Sequence, residues 1–132
     1  MKTILVVDDE KKIQSVFGKI LCREGYNILK AASAEEAHEM LLKHSIDLVL
    51  LDINMPHVDG SVLYEIINTF FNKARVIVAS VYPLEDQKLI IKGAIDYYDK
   101  SDSLKVLIQK VKTALYHFKH DKQVDIITHQ HQ

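Results

Sequence analysis

Short runs of aliphatic and β-branched residues alternate along the chain with longer stretches whose apolar residues recur at intervals of three and four. The first spacing suits strands and the second amphipathic helices, so the pattern predicts βα units. Thr3 to Val7 reads as a buried strand, and Ile13, Val16, Phe17, Ile20 and Leu21 then form one helical stripe that stops near Gly25. Asn27 to Ala31 predicts a second strand. Ser33 and Glu36 form a capping box, in which hydroxyl and carboxylate satisfy free amides at a helix start, and Ala37, Met40 and Leu41 supply that helix with its apolar side.

Leu48 to Leu51 is apolar at every position, as in a central parallel strand covered on both faces. Residues 54–60 hold Pro, Gly and turn-forming polar residues and read as a loop, after which Leu63, Ile66, Ile67 and Phe70 mark another helix. Val76 to Ala79 is a further buried strand. Pro83 to Lys92 leaves room for only a short helix, Ala94 to Tyr98 for a short fifth strand, and Leu104, Leu107, Ile108, Val111, Leu115 and Phe118 trace a long final helix. Parallel strands need right-handed crossovers and helices must cover both faces of the sheet. The expected fold is therefore an α/β doubly wound sheet of five strands with five helices. Residues 1–120 form this domain, and residues 121–132, with little pattern beyond Val124, Ile126 and Ile127, read as a flexible tail or the start of a linker.

Composition narrows the function classes. With 132 residues there is one core, and 17 Lys plus Arg against 18 Asp plus Glu leave a net charge of −1, which argues against direct nucleic-acid binding. Lys105, Lys110, Lys112, Lys119 and Lys122 make the final helix basic and read as a solvated face. The single cysteine, Cys22, reads as a half-buried residue near the end of the first helix and excludes an intramolecular disulfide, as in a reducing cytosol. No apolar run approaches the roughly 20 residues of a membrane span, so a cytoplasmic protein is expected. His117, His120, His129 and His131 lack a rigidly placed third ligand and are not read as a metal site.

In a doubly wound sheet the functional crevice lies beyond the carboxyl ends of the strands. There the chain places Asp8 and Asp9 after the first strand, Asp52 after the third, Ser80 after the fourth and the Tyr97 to Lys100 stretch at the fifth. Capping of the first helix would by itself account for acids at Asp8, Asp9 and Glu10. If the first and third strands are neighbours, however, three carboxylates converge, and Lys100 offsets only part of their charge. A hard divalent cation held by oxygen ligands, magnesium in preference to zinc, would complete the patch. That combination points to phosphoryl transfer, with a carboxylate as nucleophile and Lys100 and the Ser80 hydroxyl stabilising phosphoryl oxygens.

Residues 1 to 119 resemble the receiver domain of two-component response regulators. The likeness is carried by Ile4 to Glu10, by Asp47 to Pro56 with Asp59 and Gly60, by Ala79 and Ser80, and by Lys92 to Lys100. It implies a flavodoxin-like sheet of order 2-1-3-4-5. It also implies Asp52 as phosphoacceptor, Asp8, Asp9, Asp52 and the backbone carbonyl of Asn54 as ligands of magnesium, for which manganese may substitute, and Ser80 and Lys100 as phosphoryl contacts. Ser80 and Tyr97 would be the switch residues. The implied partners are a histidine kinase or phosphotransfer protein, and an output domain or partner protein reading the surface of helix four, strand five and helix five; a homodimer is a further option. By the resemblance the domain is regulatory, not an enzyme, although it carries its own phosphorylation and dephosphorylation chemistry.

The chain departs from the family pattern where Ser101 follows Lys100 in place of proline. A trans peptide is expected there, because a non-proline cis bond costs about 2.5–4 kcal/mol. Val81 follows Ser80 where a small residue is usual, and the interval from Ser80 to Lys100 is short. These departures motivate the alternative of a receiver-like interaction module that works without phosphorylation. A dehalogenase-type phosphatase fits poorly, since Asn54 stands where its second acid would be, and so does a flavin site, since the first strand-to-helix turn is acidic.

Overall fold

A computed structural model of the chain describes residues 1–55 and 60–116. Five strands, β1 (Thr3–Val7), β2 (Asn27–Ala31), β3 (Leu48–Asp52), β4 (Arg75–Ser80) and β5 (Asp96–Asp99), alternate with helices α1 (Lys11–Arg23), α2 (Ala34–Lys43), α3 (Gly60–Phe70) and α4 (Leu84–Ile90). A fifth helix, α5, occupies residues 104–116 of the described chain. The sheet order is β2-β1-β3-β4-β5 and every neighbouring pair is parallel, so the flavodoxin-like topology expected from the sequence is the one observed.

Alternation along the strands sends successive residues to opposite layers. Leu5, Val7, Val49, Leu51, Val76 and Val78 pack beneath α2 and α3 with Ala37, Leu41, Leu63 and Ile67. Their neighbours Ile4, Val6, Leu48, Leu50, Ile77 and Ala79 face Phe17 and Leu21 of α1 and Leu107 and Val111 of α5. Two half-cores thus clasp the three central strands, which is why those strands read as unbroken apolar runs. Tyr97 and Tyr98 obey the same rule, one in each half-core.

Helix ends follow their local chemistry. At the end of α1, Gly25 adopts φ +94, Tyr26 N–H donates to Leu21 O at 3.3 Å and Gly25 N–H to Cys22 O at 3.0 Å. This reversal needs the left-handed conformation that glycine takes without a Cβ penalty. At the start of α2 the Ser33 hydroxyl accepts from Glu36 N–H at 3.1 Å, while the Glu36 carboxylate reaches back to Ala32 N–H at 3.1 Å, one residue earlier than the cap itself.

Two local expectations need correction. Cys22 is exposed, not half-buried, because it is turned about 100° from Leu21 on a helix whose sheet-facing stripe ends there. Strand β5 begins at Asp96 and not at Ala94. The apolar pair Ala94 and Ile95 belongs to the connection, where Ala94 N–H is taken by the Tyr97 hydroxyl at 3.2 Å and Ile95 remains exposed. Residues 121–132, with Phe118, Lys119, His117, His120 and Pro56 to Asp59, lie outside the described residues.

Candidate functional site

Parallel register builds the site one strand at a time. Val7 pairs with Leu51, so Asp8 and Asp52 leave the sheet side by side. Asp52 pairs with Ala79 and Ser80 with Asp99, so Ser80 and Lys100 follow along the same rim. Main-chain bonds extend the ladder past the strand ends, from Asp8 N–H to Ala31 O at 3.0 Å and from Lys100 N–H to Ser80 O at 2.8 Å.

Carboxylate oxygens of Asp8, Asp9 and Asp52 all lie within 4.8 Å of one another. Asp8 and Asp52 are buried and Asp9 is exposed. Lys100 Nζ stands 2.7 Å from Asp8 Oδ2 and 3.4 Å from Asp52 Oδ2. Burial pushes the Asp52 carboxyl above its ordinary 3.8, against the opposing pull of the Asn54 amide and the Lys100 charge, and Asp8 adds to the rise. Burial alone would lower the Lys100 ammonium, but its hydrogen bond to Asp8 and the charges of Asp52 and Asp8 together outweigh that and raise it above 10.5.

Each buried acid divides its oxygens between backbone and lysine. Asp8 Oδ1 accepts from Glu10 N–H at 2.9 Å while Oδ2 faces Lys100. Asp52 Oδ1 accepts from Asn54 N–H at 2.9 Å while Oδ2 faces Lys100. The capping account of these acids explains little: the N-cap residue of α1 is Glu10, its side chain makes no capping bond, and the first turn holds no acid. Gln14 Nε2 donates to the Asp8 carbonyl at 2.6 Å and fixes the turn from the helix side. The Ser80 hydroxyl is buried, donates to Asn54 Oδ1 and accepts from Tyr82 N–H at 3.1 Å. The Asn54 side chain is therefore engaged, a role the sequence reading, concerned with its carbonyl, did not assign.

Tyr97 is buried with its hydroxyl donating to Ile91 O at 2.6 Å, at the end of α4. Tyr98 points the other way and donates to Asp102 O at 2.8 Å. The Lys100–Ser101 peptide is trans, like every peptide bond among the described residues, and the lysine still reaches both acids. Val81 is exposed. α4 spans seven residues, and its one buried residue is Gln87, which nothing in the sequence singled out. Along α5 the lysines are partly paired, Lys110 with Asp96 at 3.2 Å and Lys112 with Glu24 at 2.6 Å.

The donor set suits a hard cation. It contains oxygen only, carries more negative charge than one ammonium offsets, and has an exposed member in Asp9. No helix among the described residues is long and apolar enough to cross a membrane.

Comparison with known proteins agrees with this fold. Residues 4–112 match the family model of the response regulator receiver domain. The chain is 35% identical over 103 residues to the response regulator GtcR of Aneurinibacillus migulanus, covering 75% of this chain and 41% of that protein. It spans about half the length of the first curated relatives it matches. A CheY-like receiver domain protein from Methanospirillum hungatei JF-1 superposes with a TM-score of 0.85 at 28% identity, covering 92% of this chain and 98% of that one. The response regulator TrrA of Thermotoga maritima, solved in complex with Mg2+ and BeF, superposes with a TM-score of 0.79 at 36% identity, covering 87% of this chain and 100% of that one.

Proposed function

Because the chain belongs to the response regulator receiver domain family, we propose that Asp52 is its phosphoacceptor and that a divalent cation, magnesium first, is held by Asp8, Asp9, Asp52 and the Asn54 carbonyl. The observation that carries this reading is the meeting of three carboxylates from two strand ends with a buried lysine between two of them. Among the described residues one ammonium faces three carboxylates, and Asp9 is exposed.

The chemistry follows from the side chains. An ionised Asp52 oxygen attacks the phosphorus of a phosphohistidine on a kinase or phosphotransfer protein, or of a small acyl phosphate. The new O–P bond forms as the bond to the donor breaks, and the leaving group departs with the electron pair. Lys100 and the Ser80 hydroxyl stabilise the oxygens of the transferred group. When bound, the cation neutralises phosphoryl charge and orients the group. Hydrolysis by water returns the carboxylate, so the domain resets itself and is regulatory in character.

Phosphorylation adds charge and acceptor oxygens beside Ser80, whose single hydroxyl proton is then drawn from Asn54 toward the phosphoryl group. Tyr97 is the companion switch, biasing the surface of α4, β5 and α5 toward an output partner or a second copy of the chain. The phosphorylation-independent alternative drew on Ser101 and Val81. The reach of Lys100 and the exposure of Val81 give it no support.

Incubation with acetyl phosphate and magnesium tests the assignment. Label should appear on the wild type, vanish with chelator and be absent from Asp52→Asn. Equal labelling of Asp52→Asn would refute the acceptor.

A further inference from the structure

Helix α4 is fastened to the sheet differently from its neighbours. α1, α2 and α3 bury apolar stripes, whereas the one buried residue of α4 is Gln87, with Leu84 only partly covered and Leu89 and Ile90 exposed. Gln87 is fully buried, a rare position for glutamine. Its Nε2 donates to Tyr82 O at 2.8 Å and Tyr98 O at 2.9 Å, with Ser80 O at 3.5 Å. A side-chain amide carries two N–H donors, so the two short bonds use both.

The two pinned segments are those that deliver the switch residues. Tyr82 follows Ser80 by two residues, and its N–H donates to the Ser80 hydroxyl. Tyr98 lies in β5 between Tyr97 and Lys100. Hydrogen bonds weaken steeply with misalignment, while apolar contact is non-directional. A helix held by a polar pin therefore registers small backbone movements that a greasy face would absorb. Among the described residues Gln87 Oε1 has no hydrogen-bond partner, and an unpaired buried acceptor disfavours the arrangement seen here relative to one in which it gains a donor.

We propose that Gln87 is a positioning residue that transmits movement of the Ser80 to Tyr82 segment and of β5 to helix α4. This rests on the reading that Ser80 and Lys100 engage a phosphoryl group on Asp52.

The test is heteronuclear NMR of the full chain with magnesium, titrated with beryllofluoride, in the wild type, Asp52→Asn, Gln87→Met and Gln87→Leu. In the wild type, signals of Ile53 and Asn54, the Gln87 side-chain NH2 pair, and Leu89 and Ile90 should all shift. In either Gln87 variant the shifts at Ile53 and Asn54 should persist while those at Leu89 and Ile90 are lost. Should neither variant fold, the wild-type NH2 pair decides, since unmoved Gln87 signals beside shifted Ile53 signals overturn the coupling. If Leu89 and Ile90 shift in a folded variant as they do in the wild type, the coupling falls and the phosphoacceptor reading stands. If Asp52→Asn responds like the wild type, both fall.

Discussion

Replacing Lys100 by methionine keeps most of the apolar stem and removes the charge that lies between two buried acids. Asp8 and Asp52 are 2% and 3% exposed, so water cannot take over the work of the ammonium. Breaking a buried pair by removing one partner costs about 3–5 kcal/mol. The lower end applies, because Asp9 opens the rim to solvent and the surviving acids keep backbone donors from Glu10 and Asn54. In chelator, urea denaturation should therefore show Lys100→Met less stable than wild type by about 3 kcal/mol. Magnesium reverses part of this. A ligand at a hundredfold excess over its Kd adds about 2.7 kcal/mol, and a site freed from a competing cation and binding tenfold tighter gains about 1.4 kcal/mol more than the wild type. The deficit should thus roughly halve in saturating magnesium. Equal stability of the two proteins in chelator, or a deficit indifferent to magnesium, would show that lysine and metal do not share these acids.

Two further predictions address the same rim. Burial raises the Asp52 carboxyl above the unfolded value of 3.8, so its contribution to stability is present below that value and is lost as pH rises through the folded one; in chelator, wild type should lose stability from about pH 4 upward relative to Asp52→Asn, and superimposable profiles in chemical denaturation would contradict the shift. At Gly60 an added Cβ would lie 2.7 Å from Ile53 Cα and 2.9 Å from Ile53 Cγ2, so Gly60→Ala should cost about 1–3 kcal/mol and weaken magnesium binding by displacing the segment between Asp52 and Asn54; unchanged denaturation and metal titration would show that the turn yields freely.

How far the sequence reveals such a molecule depends on what each residue has to satisfy. β1, β3 and β4 are legible because both faces of their central residues are buried and filled by aliphatic side chains, the polar residues falling at the strand ends. The site residues are legible because a strand fixes its own end, so Asp8, Asp52, Ser80 and Lys100 could each be placed at a strand end before any pairing was known. β5 is less so. Ala94 and Ile95 have the composition of a strand, but Ala94 N–H is committed to the Tyr97 hydroxyl beside the turn at Gly93, where φ is +87, and Ile95 N–H meets Val76 O one residue ahead of the paired strand. Gln87 was invisible, since a glutamine in a short polar segment looks like solvent-facing surface, and only the carbonyls around it give it meaning. The Ser80 bond to Asn54 joins residues brought together by the β3–β4 pairing and has no local signature.

The rim's charges also have an order in time. Synthesis runs from the N-terminus, so Asp8, Asp9 and Asp52 exist in the nascent chain well before Lys100, which arrives just after β5. Until residue 100 has been added, the growing chain lacks the ammonium that stands between Asp8 and Asp52 in the folded protein, and these acids take their counter-charge from elsewhere.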